Sequence, residues 1–138
     1  GRLLMQRSWT DSAAACLARA TALQPQNRWY LLAQAEVQGR RGDTKGLIAT
    51  RERIVGLQPD VIENYYDLSN AYVADKDYAG AVEALDRVER KIGVSEPVSM
   101  QKQRLWMAAG KEDKAVREME GIVSFYFTLY CYDVHFCS

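Results

Sequence analysis

The chain repeats itself every 34 residues, and this period limits the possible folds more than any other feature. "LQP" stands at residues 23–25 and again at 57–59. Three columns keep the same offset through four copies: Ala13, Leu47, Ala81 and Ala115; Leu17, Arg51, Leu85 and Met119; Ala20, Ile54, Val88 and Ile122. Within each copy these columns fall at i, i+4 and i+7, which puts three side chains on one face of an α-helix. A helical hairpin of this length cannot bury its apolar face alone, so a sequence with such a period folds as stacked units, each covering the next.

A second helix precedes that one in each copy. In "ENYYDLSNAYVA" (63–74), Tyr65, Leu68, Ser69 and Tyr72 share a face. The stretches "RGDT" (41–44) and "DKDY" (75–78) read as joints between the paired helices. Gly42 can take the left-handed conformation that ends a helix, and Asp43 and Asp77 can accept hydrogen bonds from the free N–H groups that begin the next. Pro25 and Pro59 cannot continue a helical ladder and therefore stop the second helix. "LQP" is thus punctuation between units, with Leu23 and Leu57 expected to pack the last turn. Gly93 takes proline's place one period later, and Ser95, Glu96 and Pro97 mark a new helix start. The expected organisation is a partial unit at 1–27, mainly a second helix, then units at 28–61, 62–95 and 96–127 and a non-repeat tail at 128–138.

On these residues the chain resembles the tetratricopeptide repeat family, and its texture resembles bacterial members. The third unit carries the likeness best, through Tyr65, Leu68, Ser69, Tyr72, Asp77, Tyr78, Ala81, Leu85 and Val88. The second unit matches at Ala35, Gly42, Asp43 and Pro59 but has Gln38 at an aromatic site and Leu47 at a small one. The fourth has Trp106, Gly110, Ala115 and Met119, with Gln103 at the close-contact site and Lys111 where aspartate is usual. The resemblance implies an all-α, right-handed superhelix of about seven helices. It also implies a non-catalytic protein-interaction scaffold whose first helices line a concave groove for a peptide or partner helix. Carried over position by position, the groove residues are Leu32, Glu36 and Arg40, then Tyr66, Asn70 and Val73, then Met100, Arg104 and Met107. Chaperone-tail clamps in this family need further cations where this chain has Leu32, Glu36 and Met100, so that use is not expected. The mixture of Tyr66, Met100, Met107 and Arg104 suits an apolar peptide with one acidic anchor.

Charge and composition narrow the partners. Eighteen basic residues balance eighteen acidic ones, and no block of like charge offers a footprint for nucleic acid. A helical repeat that reads RNA should carry a basic groove and fits less well; a spacer or fragment within a larger protein would share every feature described so far. The longest uncharged run, "GIVSFYFTLYCY" (121–132), is too short and too polar to span a bilayer. The first residues, "GRLLMQRSW", show no signal-peptide pattern. Cytoplasm and bacterial periplasm both remain open, because an N-terminal part of the parent protein is expected to be missing.

No cofactor is implied, and no catalytic motif appears. Glu83, Asp86 and Glu89 read as an outer, solvated face with Arg87 and Arg90. Trp29 and Tyr66 lie off the packing seams and are candidates for ligand contact. The closing "SFYFTLYCYDVHFCS" departs from the repeat. Cys131, Asp133, His135 and Cys137 would share one face of an extended strand, but its ends would lie about 20 Å apart, too far for one metal ion. The segment is expected either to cap the exposed seam of the last unit or to be an unnatural end left by truncation or a shifted reading frame, in both cases with a risk of self-association through its aromatic residues.

Overall fold

The computed structural model describes the backbone of residues 2–136 and the side chains of residues 8–131. Among the described residues there are seven α-helices and no strand: α1 Arg2–Leu23, α2 Arg28–Arg41, α3 Thr44–Leu57, α4 Ile62–Ala74, α5 Tyr78–Ile92, α6 Glu96–Ala108 and α7 Glu112–Phe136. They form two compact units, Gly1–Asp77 and Tyr78–Ser138. In the first, α2 packs on α1, α3 on α2 and α4 on α3; in the second, α6 packs on α5 and α7 on α6.

Part of the repeat columns enters the cores: Ile54, Ala81, Leu85, Val88 and Ala115 are buried, whereas Met119 is 44% exposed. Leu31, Ile54 and Leu68 are fully enclosed in the first unit, and Leu85, Val88 and Val98 in the second. Small residues stand where helices meet: Ala35, Ser69, Ala81 and Ala115 are all buried. Gln38, which stands at an aromatic site of the pattern, accepts a hydrogen bond from the buried Thr50 hydroxyl at 2.7 Å, so a polar pair replaces ring packing between α2 and α3.

The joints follow from local chemistry. Asn27 caps α2 by accepting from the Trp29 and Tyr30 amides at 3.0 and 3.4 Å, and Asp43 caps α3 by accepting from the Gly46 amide at 3.0 Å. Gly42 ends α2 in the left-handed region at φ 73°. One and two periods later stand Lys76 at φ 60° and Gly110 at φ 75°. The joint demands the same backbone turn each time, and in the middle copy a lysine adopts it against its Cβ.

The prolines do stop α1 and α3, but the leucines before them do not pack. Leu23 is 83% exposed and Leu57 39% exposed. The loops are fixed instead by side chains that reach back to the proline carbonyls. Arg53 donates to the carbonyl of Pro25 at 2.9 Å, and the Tyr65 hydroxyl donates to that of Pro59 at 2.8 Å.

The end of the chain also differs from expectation. Among the described residues the segment does not fold back as a cap. α7 continues as one helix through Phe127 to Phe136, and residues 124–131 are all exposed.

Leu68→Ala should lower the unfolding free energy by about 2–5 kcal/mol in urea titration, as for an enclosed leucine. Leu23→Ala should change it by less than about 0.5 kcal/mol. Lys76→Gly should raise it by roughly 0.5–1 kcal/mol, because glycine relieves the left-handed strain at some cost in chain entropy.

Candidate functional site

The proposed groove residues fall on α2 and α4 in the first unit and on α6 in the second. On α2, Leu32 is half-buried, while Glu36 and Arg40 are exposed and paired with each other at 2.7 Å across one helical turn. On α4, Tyr66 and Val73 are half-buried and Asn70 is exposed. On α6, Met100 and Met107 are 41% and 53% exposed. Arg104 stands between them on the same face, exposed, with no ion pair or hydrogen bond among the described residues. Trp29 is 71% exposed, with the Arg28 guanidinium 5.2 Å from its ring centre.

Two columns organise these positions. Leu32, Tyr66 and Met100 are one period apart and supply a large apolar group each time. Glu36, Asn70 and Arg104 are likewise one period apart and run from negative through neutral to positive. In the first unit the charge is neutralised within α2 by Arg40, so among the nine expected positions the only charge without a partner among the described residues is that of Arg104.

A charged cluster in the second unit was missed by reading the sequence. The side chain of Lys102, on α6, is only 5% exposed, and its ammonium lies 2.7 Å from Asp86, 3.0 Å from Glu118 and 3.1 Å from Glu89. Glu89 also accepts from the Ser99 hydroxyl at 3.4 Å. Glu89 is therefore not on the solvated outer face expected of it, and Asp86, though still 44% exposed, turns towards α6; Glu83, paired with Arg87 at 3.6 Å, and Arg90 fit that description. Burial by itself would push the Lys102 pKa down, but hydrogen bonds to Asp86, Glu118 and Glu89 outweigh it and hold the ammonium above its ordinary value. One cation thus ties α5, α6 and α7 together. The three carboxylates depend on it for neutralisation.

In the first unit, a smaller pair joins the start of α3 to the end of α4. Asp75 accepts from the Thr44 hydroxyl and the Lys45 ammonium, both at 2.7 Å. The hydrogen bond from Lys45, with that from Thr44, lowers the Asp75 pKa, and the same contact raises that of Lys45.

Among the described residues no group of histidine, cysteine or acidic side chains is arranged to hold a metal ion. Cys131 is exposed, while the side chains of Asp133 and His135 and all of Cys137 lie outside the described residues. No helix among the described residues is long and apolar enough to cross a membrane.

No protein-family model matches the chain. No curated protein matches it either. Its backbone is similar to solved structures. Two crystal structures of MamA superpose with TM-scores of 0.61 and 0.62 at 22% and 16% identity, each over 87% of this chain and over 70% and 66% of theirs. TTC0263, a thermophilic TPR protein of Thermus thermophilus, superposes with a TM-score of 0.52 at 24% identity, over 87% of this chain and 68% of its own. The fold is of the tetratricopeptide type. At these identities the likeness extends to the fold and no further.

Lys102→Met should lower the unfolding free energy by roughly 2–4 kcal/mol, since it leaves three carboxylates facing one another without their cation. The sign with pH follows from the raised pKa. The contribution of Lys102 is complete below the ordinary lysine value, about 10.4, and fades as pH rises through the higher folded value. The difference in melting temperature between the two chains should therefore stay constant from about pH 6 to 9 and shrink only at strongly alkaline pH.

Proposed function

We propose that the protein is a non-catalytic interaction scaffold that binds another polypeptide through the exposed faces of its first helices. In the first unit Leu32, Glu36 and Arg40 on α2 and Tyr66, Asn70 and Val73 on α4 carry the contact; in the second, Met100, Arg104 and Met107 on α6 carry it. The observation behind this reading is Arg104: an exposed guanidinium without a partner among the described residues, flanked by two exposed methionines. Methionine adapts to apolar surfaces of varied shape, and arginine binds a carboxylate in a forked geometry. The partner is therefore an apolar peptide or helix with one acidic anchor. Tyr66 adds a ring whose hydroxyl makes no hydrogen bond among the described residues and can be given to a ligand. Preformed helices spare most of the ordering cost on the protein's side when such a segment docks.

The tetratricopeptide-type fold supports this reading in general terms, since it presents rows of helix faces at a regular interval. Zero net charge disfavours RNA as the partner. The exposed aromatic end of α7 is proposed as a second, separate contact surface, for another copy of this chain.

Peptides selected on the unaltered chain from a random display library should be enriched in apolar residues around a single Asp or Glu. Combined Tyr66→Ala and Arg104→Ala substitution should weaken their binding at least about tenfold in fluorescence anisotropy. Combined Glu36→Ala and Arg40→Ala substitution should change it less than about threefold, because those charges already satisfy each other. Binding indifferent to the first pair would refute the assignment.

A further inference from the structure

α6 has two sides of different character. Val98, Ser99 and Lys102 are buried, and Lys102 ties that side to α5 through Asp86 and Glu89 and to α7 through Glu118. At about 3.6 residues per turn the opposite side carries Pro97, Met100, Arg104, Met107 and Ala108, all exposed. Gln101 and Gln103 stand at its two borders. Because three ion pairs hold the buried side, the exposed side is preformed before anything docks on it.

The axial spacing of this face discriminates between the two forms a bound segment can take. Met100 and Met107 are two turns apart, about 10 Å along the axis at 1.5 Å per residue, with Arg104 between them. A second helix brings side chains back to one face at the same interval, since seven residues make two turns in it as well. An extended segment brings them back every second residue, at about 7 and 13 Å, so a side chain level with Met100 has no companion level with Met107.

Hydrogen bonding also favours a helix. Segments held in extended form draw affinity from main-chain hydrogen bonds. The middle of this face has no row of groups to make them: Pro97 and Ala108 have no polar side-chain atom, methionine sulfur is a weak acceptor, and a guanidinium only donates. A docking helix arrives with its backbone already bonded internally. Charge completes the description of the partner. Arg104 has no ion pair or hydrogen bond among the described residues. Glu96, the only acid of α6, stands at the far end of the helix and accepts from the Tyr126 hydroxyl at 3.0 Å. No acid of α6 therefore competes for the guanidinium, which suits a forked bond to a carboxylate.

We propose that α6 binds an amphipathic α-helix of another protein, one that carries two apolar residues seven positions apart and a single Asp or Glu between them on the same face. The apolar pair covers Met100 and Met107, whose flexible side chains adapt to its shape, and the carboxylate pairs with Arg104. This rests on the reading of Met100, Arg104 and Met107 as a contact surface and names its occupant. Val116, Glu120 and Val123 of α7 stand at the same spacing, but the exposed Arg117 lies one turn from Glu120 and offsets its charge, so a second copy of the chain is the poorer match.

The probe is an alanine-based helical peptide with two leucines seven residues apart and one glutamate between them on the same face, set beside a control of equal composition except for a proline in its central turn. The unaltered chain should bind the helical peptide at least about tenfold more tightly than the control in fluorescence anisotropy. Arg104→Glu should weaken binding to a similar degree, with the far-UV circular dichroism unchanged because the residue is exposed, and a peptide with lysine in place of its glutamate should bind that variant as the original binds the unaltered chain. Equal binding of the proline control would overturn the helical occupant, and failure of the lysine exchange would overturn the pairing with Arg104. A chain that ignores the probe yet binds library-selected peptides would overturn this inference alone; one that binds neither would overturn the contact surface itself. Self-association that Arg104→Glu abolishes would give the face to α7 of a second copy and overturn an occupant from another protein.

Discussion

Within each of its two units this protein buries its apolar seams between consecutive helices, so that α3 is only half covered by α2 and takes its remaining cover from α4, the helix that follows. Such burial is short in sequence and one-dimensional. α3 needs α2 on one side and α4 on the other, and α6 bridges α5 and α7 in the same manner. The enclosed residues Leu31, Ile54 and Leu68 do their work at contacts between consecutive helices, with no central core to share. The joints follow from this requirement. Successive helices are separated by only a few residues, and the chain passes through the left-handed region at 42, 76 and 110 even where only a lysine is available to do it.

One column shows how far the packing tolerates departure from apolar chemistry. Gln34, Leu68 and Lys102 are one period apart. Leu68 is fully enclosed. Gln34 leaves its side-chain oxygen buried without a hydrogen-bond partner among the described residues, at an expected cost of about 1–3 kcal/mol. Lys102 would be worse alone, but charged residues at neighbouring columns accompany it. Glu89 stands one period after the buried Val55, and Glu118 one period after the buried Ala84. Cation and anions replace an apolar contact together. Substituting any one of them alone is expected to be more harmful than replacing the set with apolar residues of similar volume.

Much of the fold was legible because period, caps and prolines are local signals with local causes. Gly42, Asp43 and Ser95 stand where the sequence puts them, and α1 and α3 end before their prolines. What failed was reading single helices as wheels. Asp86 and Glu89 look like members of a charged outer face when α5 is considered alone, and the signal that places them inward is on another helix, in the lysine at a leucine column. The leucines of "LQP" misled for the opposite reason: their apolar character suggested burial, while the loops are held by Arg53 and Tyr65 donating to proline carbonyls, bonds with no sequence period. In the tail, the departure from the repeat gave no sign that the helix continues. Continuity with a well-formed helix prevailed, because each added residue gains a hydrogen bond without a new nucleation cost.

The candidate contact surfaces divide according to the same constraint. First helices spend their buried faces on the neighbouring helices and keep the opposite face free, which is why Tyr66, Arg104 and the two methionines can be offered to a partner without disturbing the core. α7 is a second helix that lacks a following helix among the described residues, so the face it exposes is a packing face by origin: aliphatic at one end, aromatic at the other and nearly free of charge. A packing face asks for another apolar helix face, whereas a free face with a single cation asks for a segment with a matching anion. The two surfaces therefore call for chemically different occupants, and loss of one should leave binding at the other intact.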